Sequence, residues 1–252
     1  MDALRSASTQ SVLTWLKPRS TGISFPTLLV IKMYHFNWRP VFQNFDLLWD
    51  GLLLGLQISF LSLGIGMLIG LIGAFGRVYG PRQVRLFIAA YVEFVRNIPL
   101  LLIIYFVYFA LPLLGISILD NLWSFVFALA IYGAAYLTEI FRAGIESIQQ
   151  GYIDAGKAIG LTRLQRAWYV IVPLMFRIVL PSLGNTLISL FKDTSLASAI
   201  AVAELTYGAI RINVNTWRVL EVYTVVALMY LATSYLIAGL LRMLEKRYAM
   251  VR

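Results

Sequence analysis

The sequence lacks cysteine entirely and contains one histidine, His35. Without cysteine there is no disulfide framework, thiol nucleophile or thiolate metal site, and one histidine does not support a histidine-based metal site. The phosphate-binding signature G-x-x-x-x-G-K-[ST] is missing, as are G-x-S-x-G, H-E-x-x-H and a dinucleotide-binding G-x-G-x-x-G. We therefore expect no catalytic residue, no metal ligand and no nucleotide site, and hence not an enzyme.

Charged residues are also scarce, at 13% of the chain, whereas 60% of the residues are hydrophobic. Soluble domains carry about 25% charged residues, so this composition predicts an all-α integral membrane protein. A bilayer crossing takes about 20 apolar residues. About five transmembrane helices are predicted, at 51–75, 86–111, 122–145, 174–191 and 219–241.

The net charge of +9 does not indicate a nucleic-acid partner, since no basic patch is interleaved with aromatics. In a membrane protein, Lys and Arg accumulate on the cytoplasmic side. Placing the N-terminus outside and the C-terminus in the cytoplasm gives the cytoplasmic segments the larger share of these cations. Residues 1–45 are predicted to be an interfacial arm, and residues 46–252 the transmembrane domain.

The longest polar interval, 146–172, separates the third and fourth predicted spans. Within it, Gly151 to Leu161 has the composition of a short helix with one apolar side. Gly160 is a candidate C-terminal stop, because glycine adopts the left-handed conformation without steric cost. An ordinary interfacial helix would show the same pattern.

Two spans carry oppositely charged residues three positions apart: Glu93 with Arg96, and Glu139 with Arg142. Residues at this spacing lie on one helix face and can pair. Charges at this depth usually face the bundle interior or water. Each pair is a candidate gate or a structural ion pair. Pro99 is expected to kink its helix.

The fourth span ends in the sequence K-D-T-S-L, residues 192–196, which favours a helix break followed by a weak apolar segment at 197–212. Broken helices in membranes are tolerated where they line a cavity. The candidate residues of a substrate pathway are Gln57, Asn185, Lys192, Asp193, Thr194, Ser195, Ser198 and Glu204.

Three motifs together resemble the permeases of ABC importers for polar amino acids, of the histidine, glutamine and glutamate type. They are E-x-x-R-N-I-P-L-L from Glu93, the loop G-Y-I-D-A-G-K-A-I-G-L at 151–161, and K-D-T-S-L with Glu204. In the family the loop usually reads G-Q-x-E-A-A-x-A-L-G-L. The loop keeps five family residues and departs at four. The residues it keeps are Gly151, Ala155, Ala158, Gly160 and Leu161. The departures are Tyr152, Asp154, Gly156 and Ile159. The resemblance extends from Phe36 to Tyr248.

The resemblance implies a type I permease fold in the bacterial cytoplasmic membrane, with lipid around it. The loop would be a cytoplasmic coupling helix that contacts an ATPase subunit through Gly151, Asp154, Ala155, Gly156, Ala158, Gly160 and Leu161. The expected partners are two ATPase subunits, a second permease subunit, identical or homologous, and a substrate-binding protein. ATP and magnesium would bind the ATPase, so that this chain itself holds no cofactor.

Two other functions are compatible with the composition. An ion-coupled secondary transporter of small polar solutes often shows inverted repeats with corresponding broken helices, but the sequence has one clear broken region, near Asp193. A structural or assembly protein would explain the apolar spans but not the charges within them. An ATP-driven importer of polar L-amino acids working by alternating access is the favoured interpretation.

Overall fold

The computed structural model describes residues 34–116 and 120–248. Its contacts divide the chain into two units, Met1–Phe36 and Asn37–Arg252, and the fold below is that of the second unit. Within the described residues every regular element is helical, as the composition predicts. Most of the predicted N-terminal arm, residues 1–33, lies outside the described residues.

The longer helices are named here in chain order. They are α1 (Arg39–Gln43), α2 (Phe45–Tyr79), α3 (Arg82–Arg96), α4 (Leu100–Tyr105), α5 (Asn121–Glu146), α6 (Gln150–Ala158), α7 (Val172–Asp193), α8 (Leu205–Thr216) and α9 (Val219–Tyr248). A π-helical turn (Phe106–Ala110) and a short helical turn (Leu111–Leu113) extend α4. A short helix (Arg163–Arg166) and a π-helical turn (Ala167–Ile171) lead into α7, and a 3₁₀ helix (Thr194–Ile200) follows it.

Four helical runs in the described residues are long and apolar enough to cross a membrane: α2, α5, the run Arg163–Ile200 and α9. The pair formed by α3 and the α4 run meets the same criterion only when taken together, and it is bent by 106°. The fold thus provides four or five crossings, which agrees with the predicted number.

The span predicted at 86–111 is divided into two helices, because the chain breaks between Arg96 and Leu100. Pro99 lacks an N–H group and sits at the start of α4 with an extended ψ of 132°. The Asn97 side chain closes α3 by donating to the Glu93 carbonyl at 2.7 Å. The expected kink is therefore a sharp corner between two helices.

Helix α5 is the central span, with 67% of its apolar window buried, compared with 11% for α9. Glycines let α2 approach it closely, as small residues do in membrane helix packing. A Cβ atom on Gly70 would lie 2.8 Å from the Leu137 Cβ, and one on Gly73 would lie 2.6 Å from the Thr138 hydroxyl. Gly64 of the same helix has no neighbour within 4 Å of such an atom.

The α-helical part of this run ends at Asp193, close to the break that Lys192 and Asp193 predict. The chain nevertheless continues as a 3₁₀ helix to Ile200 and reverses at Ala201, whose φ is +59°. The weak apolar segment predicted at 197–212 covers the end of this coil and most of α8.

Candidate functional site

Helix α6 is a short surface helix between two spans, and its end is closed by glycine. Gly160 has a φ of +79°, in the left-handed region that the sequence predicts for it. The Leu161 N–H donates to the Gly156 carbonyl at 3.0 Å, and the Gly160 N–H donates to the Lys157 carbonyl at 2.9 Å. These two bonds form a Schellman motif, which satisfies the last carbonyls of the helix.

Most of α6 is open to solvent. Gly156 is its buried residue, Ile153 is half-buried, and the other predicted coupling residues of the helix are exposed. The Asp154 carboxylate accepts hydrogen bonds from Lys157 Nζ at 2.7 Å and Gln150 Nε2 at 3.1 Å. These bonds, mainly that from Lys157, hold the pKa of Asp154 below its usual value. The helix therefore presents an ionised carboxylate within a largely uncovered surface.

The family's loop pattern has alanine at the position of Gly156, and the structure gives a reason for the glycine in this chain. The Arg166 side chain crosses this position, and a Cβ atom on Gly156 would lie 3.2 Å from the Arg166 Cδ and Cγ atoms. Arg166 is fixed there because its Nη1 donates to the Leu161 carbonyl at 2.8 Å. Gly156 and Arg166 together dock α6 onto the chain that leads into α7.

A charge cluster lies near the end of α5 that adjoins α6. Arg142 donates two hydrogen bonds to Glu139 Oε2, at 3.0 and 2.8 Å, so this predicted pair forms. Arg142 Nη1 also lies 2.6 Å from Glu146 Oε2. Arg77 of α2 approaches Glu139 Oε1 to 3.5 Å. That contact ties two spans together, and motif spacing does not predict it because Arg77 lies outside every motif.

The other predicted pair, Glu93 with Arg96, makes no ion pair in the part of the chain that the structure describes. Both side chains are exposed. The Arg96 guanidinium lies over the Tyr136 ring, 5.1 Å from its centroid, while Glu93 accepts a long 3.4 Å hydrogen bond from Asn97. The corner after α3 turns Arg96 toward α5, where the ring face attracts its charge.

An open groove runs between α5 and α7, and we call it the polar groove. Its first part has a volume of about 370 Å³ and its second about 580 Å³, and both parts are lined by Tyr136 and Ser182. The first part ends at Asp193, and the second reaches Arg96, Glu139 and Arg142. Hydroxyl, amide and charged groups thus follow one line along the helix bundle.

Asn185 and Asp193 are the predicted pathway residues that line the polar groove. Lys192 points elsewhere, into a separate groove of about 510 Å³ between α7 and α9 that also contains Tyr230 and Ser234. Gln57 is exposed on α2 and lines neither groove. The two charges of the K-D-T-S-L sequence therefore face different cavities.

Two further predicted pathway residues use their hydroxyls in local structure. Thr194 is fully buried, and its hydroxyl donates to the Phe191 carbonyl at 2.7 Å. The Ser198 hydroxyl donates to the Ser195 carbonyl at 2.8 Å within the 3₁₀ helix. Side-chain hydroxyls commonly bond to the backbone in this way at helix ends.

Glu204 is fully buried and caps α8 instead of lining a pathway. Its carboxylate accepts hydrogen bonds from the backbone N–H groups of Thr206 and Tyr207, each at 2.8 Å, and from the Tyr230 hydroxyl at 2.9 Å. Burial of a carboxylate is tolerated when such donors replace water. Glu204 therefore fastens α8 to α9.

The sequence contained a signal for the groove that motif comparison passed over. Polar residues recur along α7 at intervals of three and four positions, which places them on one helix face. These residues are Ser182, Asn185, Thr186, Ser189 and Asp193. Tyr132 and Tyr136 on α5, whose hydroxyls are 3.2 Å apart, complete the opposite wall.

An all-helical membrane chain with an exposed, glycine-closed helix between two spans and a groove of polar side chains has the features of a transporter's membrane subunit. The chain belongs to the family of binding-protein-dependent transport system inner membrane components, whose model matches residues 66–250. Its fold is that of a type I ABC importer permease.

Two permease proteins from Escherichia coli are similar to this chain along most of its length. The glutamine transport system permease protein GlnP of Escherichia coli K12 is 37% identical over 213 residues, covering 84% of this chain and 97% of that protein. The glutamate/aspartate import permease protein GltK of Escherichia coli O6:H1 is 33% identical, covering 86% of this chain and all of that protein. The chain thus spans the length of both.

Two solved structures share the fold. A crystal structure of an amino acid ABC transporter with histidines superposes with a TM-score of 0.77 at 32% identity, covering 85% of this chain and all of that one. The inward-facing MetNI methionine ABC transporter superposes with a TM-score of 0.69 at 22% identity, covering 81% of this chain and 97% of that one. The second comparison supports the fold alone.

Proposed function

We propose that this chain is the membrane-spanning subunit of an ATP-driven importer that moves polar L-amino acids across the bacterial cytoplasmic membrane. The observation that carries the proposal is α6: an uncovered helix with a Schellman closure, held at a fixed position between two spans. A helix that protrudes in this way suits contact with another subunit. GlnP and GltK are named for the transport of glutamine and of glutamate/aspartate, and these names support the substrate class.

The residues of α6 would transmit the motion of an ATPase that this chain lacks. Gly156 and Arg166 fix the helix to the start of α7, and α7 forms one wall of the polar groove. A displacement of α6 would therefore also move α7 and change the shape of the groove. ATP binding in the partner shifts the equilibrium only if it favours one conformation of the whole assembly. Magnesium and ATP belong to that partner.

The polar groove suits a zwitterionic amino acid. Asn185, Ser182 and the two tyrosines offer neutral hydrogen-bonding groups, and Arg96 and Glu139 offer charges of both signs in the second part of the groove. The Glu139–Arg142 pair, which Arg77 approaches to 3.5 Å, would close the groove near α6. Each group would act by binding or orienting the substrate.

The other parts of the assembly follow from the family. A second permease subunit, identical or homologous, would cover the uncovered faces of α2 and α9, and a substrate-binding protein would deliver the amino acid from outside. The N-terminus lies outside and the C-terminus in the cytoplasm in this arrangement. The alternative of an ion-coupled carrier has less support, because the family is named for its dependence on a binding protein.

Affinity purification of the tagged full-length chain from its own membranes, followed by mass spectrometry, tests this proposal. We expect an ATPase with a phosphate-binding loop and a second permease subunit in stoichiometric amounts. Reconstituted into vesicles, the complex should take up glutamine or glutamate only when ATP is present on the α6 side. Uptake by an assembly with no nucleotide-hydrolysing subunit would contradict the proposal.

A further inference from the structure

A further cavity, distinct from the two grooves described above, lies beneath α6, and we call it the interfacial pocket. It has a volume of about 610 Å³ and is the space between the end of α2, one face of α6 and the chain leading into α7. Its cationic side chains are Lys157, Arg163 and Arg166. Its apolar wall includes Phe75, Ile153 and Ile171.

The charges in this pocket are unbalanced. Lys157 is paired with Asp154 at 2.7 Å. Arg166 uses one guanidinium nitrogen to bond the Leu161 carbonyl. The Arg163 side chain forms no hydrogen bond or ion pair with any residue that the structure describes, although it lines the pocket. The pocket therefore offers cationic donors for an anion that this part of the chain does not supply.

The apolar wall continues the surface of a membrane span. Phe75 and Tyr79 are one helical turn apart near the end of α2, with ring centroids 5.8 Å apart. Trp168 and Tyr169, in the π-helical turn that adjoins the pocket, are 60% and 74% exposed. Tryptophan and tyrosine concentrate where a bilayer meets water. The pocket is therefore located at that boundary, with charge on its wet side and aromatic surface toward the lipid.

The pocket and the surface offered to a partner are on opposite faces of α6. Gln150, Ile153 and Lys157 line the pocket and recur at intervals of three and four, which places them on one face. Ala155 and Ala158 are exposed, and an angle of about 100° per residue places them about 160° and 140° around the helix from Ile153, the half-buried residue that faces the pocket. A ligand in the pocket would therefore leave the outer face of α6 free.

We propose that the interfacial pocket binds an anionic phospholipid of the cytoplasmic leaflet. The phosphodiester contacts Arg163 and Arg166, and an acyl chain lies along Phe75 and Ile171. A soluble anion would satisfy the cations but would leave the apolar wall uncovered, and a zwitterionic lipid would bring a cation of its own close to Arg163 beside its phosphodiester. The lipid supports the inner face of α6. The cytoplasmic placement of α6 comes from the proposed function, but binding itself requires no ATPase.

Native mass spectrometry of the full-length chain tests this proposal. The chain, purified in detergent, is mixed with phosphatidylglycerol or with phosphatidylcholine of the same acyl chains. We expect phosphatidylglycerol to be retained preferentially. Arg163→Gln should weaken its retention about fivefold, the effect expected for one cation at an anionic surface. Leu164→Asp, at a pocket residue that is 70% exposed, adds a negative charge there and should weaken retention without unfolding the chain.

Arg82→Gln is the matched control, since Arg82 is also an exposed arginine but does not line the pocket. It should leave retention unchanged. Equal retention of the two lipids, or equal effects of the Arg163 and Arg82 variants, would overturn the proposal. Displacement of the lipid by millimolar inorganic phosphate would also overturn it, because the site would then recognise a free anion. Co-purification of the ATPase is measured in a separate experiment. A failure of the proposed function would appear there, whereas a failure of the lipid proposal would appear in the retention of phosphatidylglycerol.

Discussion

The backbone of α2 at Gly51 rests directly on the backbone of Glu204. A Cβ atom on Gly51 would lie 2.7 Å from the Glu204 carbonyl carbon and 2.7 Å from the Leu205 nitrogen. The carboxylate of the same glutamate caps α8 and accepts from Tyr230 of α9. Glu204 therefore joins the first span to the last one, through its backbone to α2 and through its carboxylate to α9.

Replacement of Gly51 by alanine is expected to destabilise the chain. The contacts involve backbone atoms, which cannot move aside as a flexible side chain can, so that α2 must shift away from Glu204. We expect a cost of about 1–3 kcal/mol, typical of overpacking, measured as a lower thermal midpoint in detergent. Gly64→Ala is the control, because no atom lies within 4 Å of its added Cβ. An equal midpoint for the two variants would contradict this account.

Replacement of Glu204 by alanine should reduce stability without a specific effect on substrate affinity. It would leave the Thr206 and Tyr207 N–H groups and the Tyr230 hydroxyl without their acceptor, at a cost of about 1–3 kcal/mol for each buried donor. The thermal midpoint should fall, and Tyr230→Phe should produce a smaller fall because it removes one of these bonds. A higher KM for uptake at an unchanged midpoint would instead indicate contact between Glu204 and substrate.

The sequence predicted the all-α class, the number of crossings and the left-handed Gly160. These features depend on the length of an apolar run or on a glycine at the end of a short helix, which are local properties. It did not predict the corner at Pro99, since a proline in an apolar run is compatible with either a kink or a break. It also placed Glu204 and Thr194 in the pathway. Whether a polar side chain faces a cavity or caps a neighbouring helix depends on tertiary packing, and motif spacing does not contain that information.

The contact between Gly156 and Arg166 predicts a position-specific effect in α6. Gly156→Val should displace the Arg166 side chain and loosen the helix, whereas Gly151→Val should have little effect on stability, because no atom lies within 4 Å of a Cβ on Gly151. Both changes place a β-branched residue in the same helix. The Gly156 variant should therefore have the lower thermal midpoint.

The double variant Gly156→Val with Arg166→Ala provides the check on that contact. Removal of the arginine stem should make the valine less costly than it is in the native background, since residues in contact show coupling of about 0.5–3 kcal/mol. Additive effects of the two substitutions would exclude direct contact as the cause.

Asp154→Lys should weaken the docking of the proposed ATPase. Asp154 is exposed and ionised on α6, and the substitution reverses its charge beside Lys157. Asp154→Asn is the matched control, since it removes the pair with Lys157 without adding a cation. We expect the lysine variant to lose co-purified ATPase at moderate salt and the asparagine variant to retain most of it. Equal retention by both variants would exclude a role for the charge of Asp154 in docking.

The separation of Asn185 from Lys192 predicts different effects on uptake. Asn185→Leu should reduce uptake about tenfold, the effect of losing roughly one hydrogen bond of about 1–1.5 kcal/mol. Lys192→Met should have little effect, because Lys192 lines the separate groove between α7 and α9. Initial rates in vesicles, normalised to the amount of assembled complex, provide the measurement. The reverse order of effects would place the pathway between α7 and α9.

Gly160 gives the sharpest test of the proposed coupling, because its φ of +79° is the one special feature of that position and no atom lies within 4 Å of an added Cβ. Gly160→Val should disrupt the Schellman closure, since the left-handed region costs an L-residue about 1–2 kcal/mol. Gly160→Asn should be tolerated, because asparagine adopts this region more readily. In vesicles that contain the whole complex, we expect the valine variant to hydrolyse ATP with reduced uptake per ATP and the asparagine variant to resemble the native protein. Normal uptake per ATP in the valine variant would mean that the end of α6 does not transmit the motion.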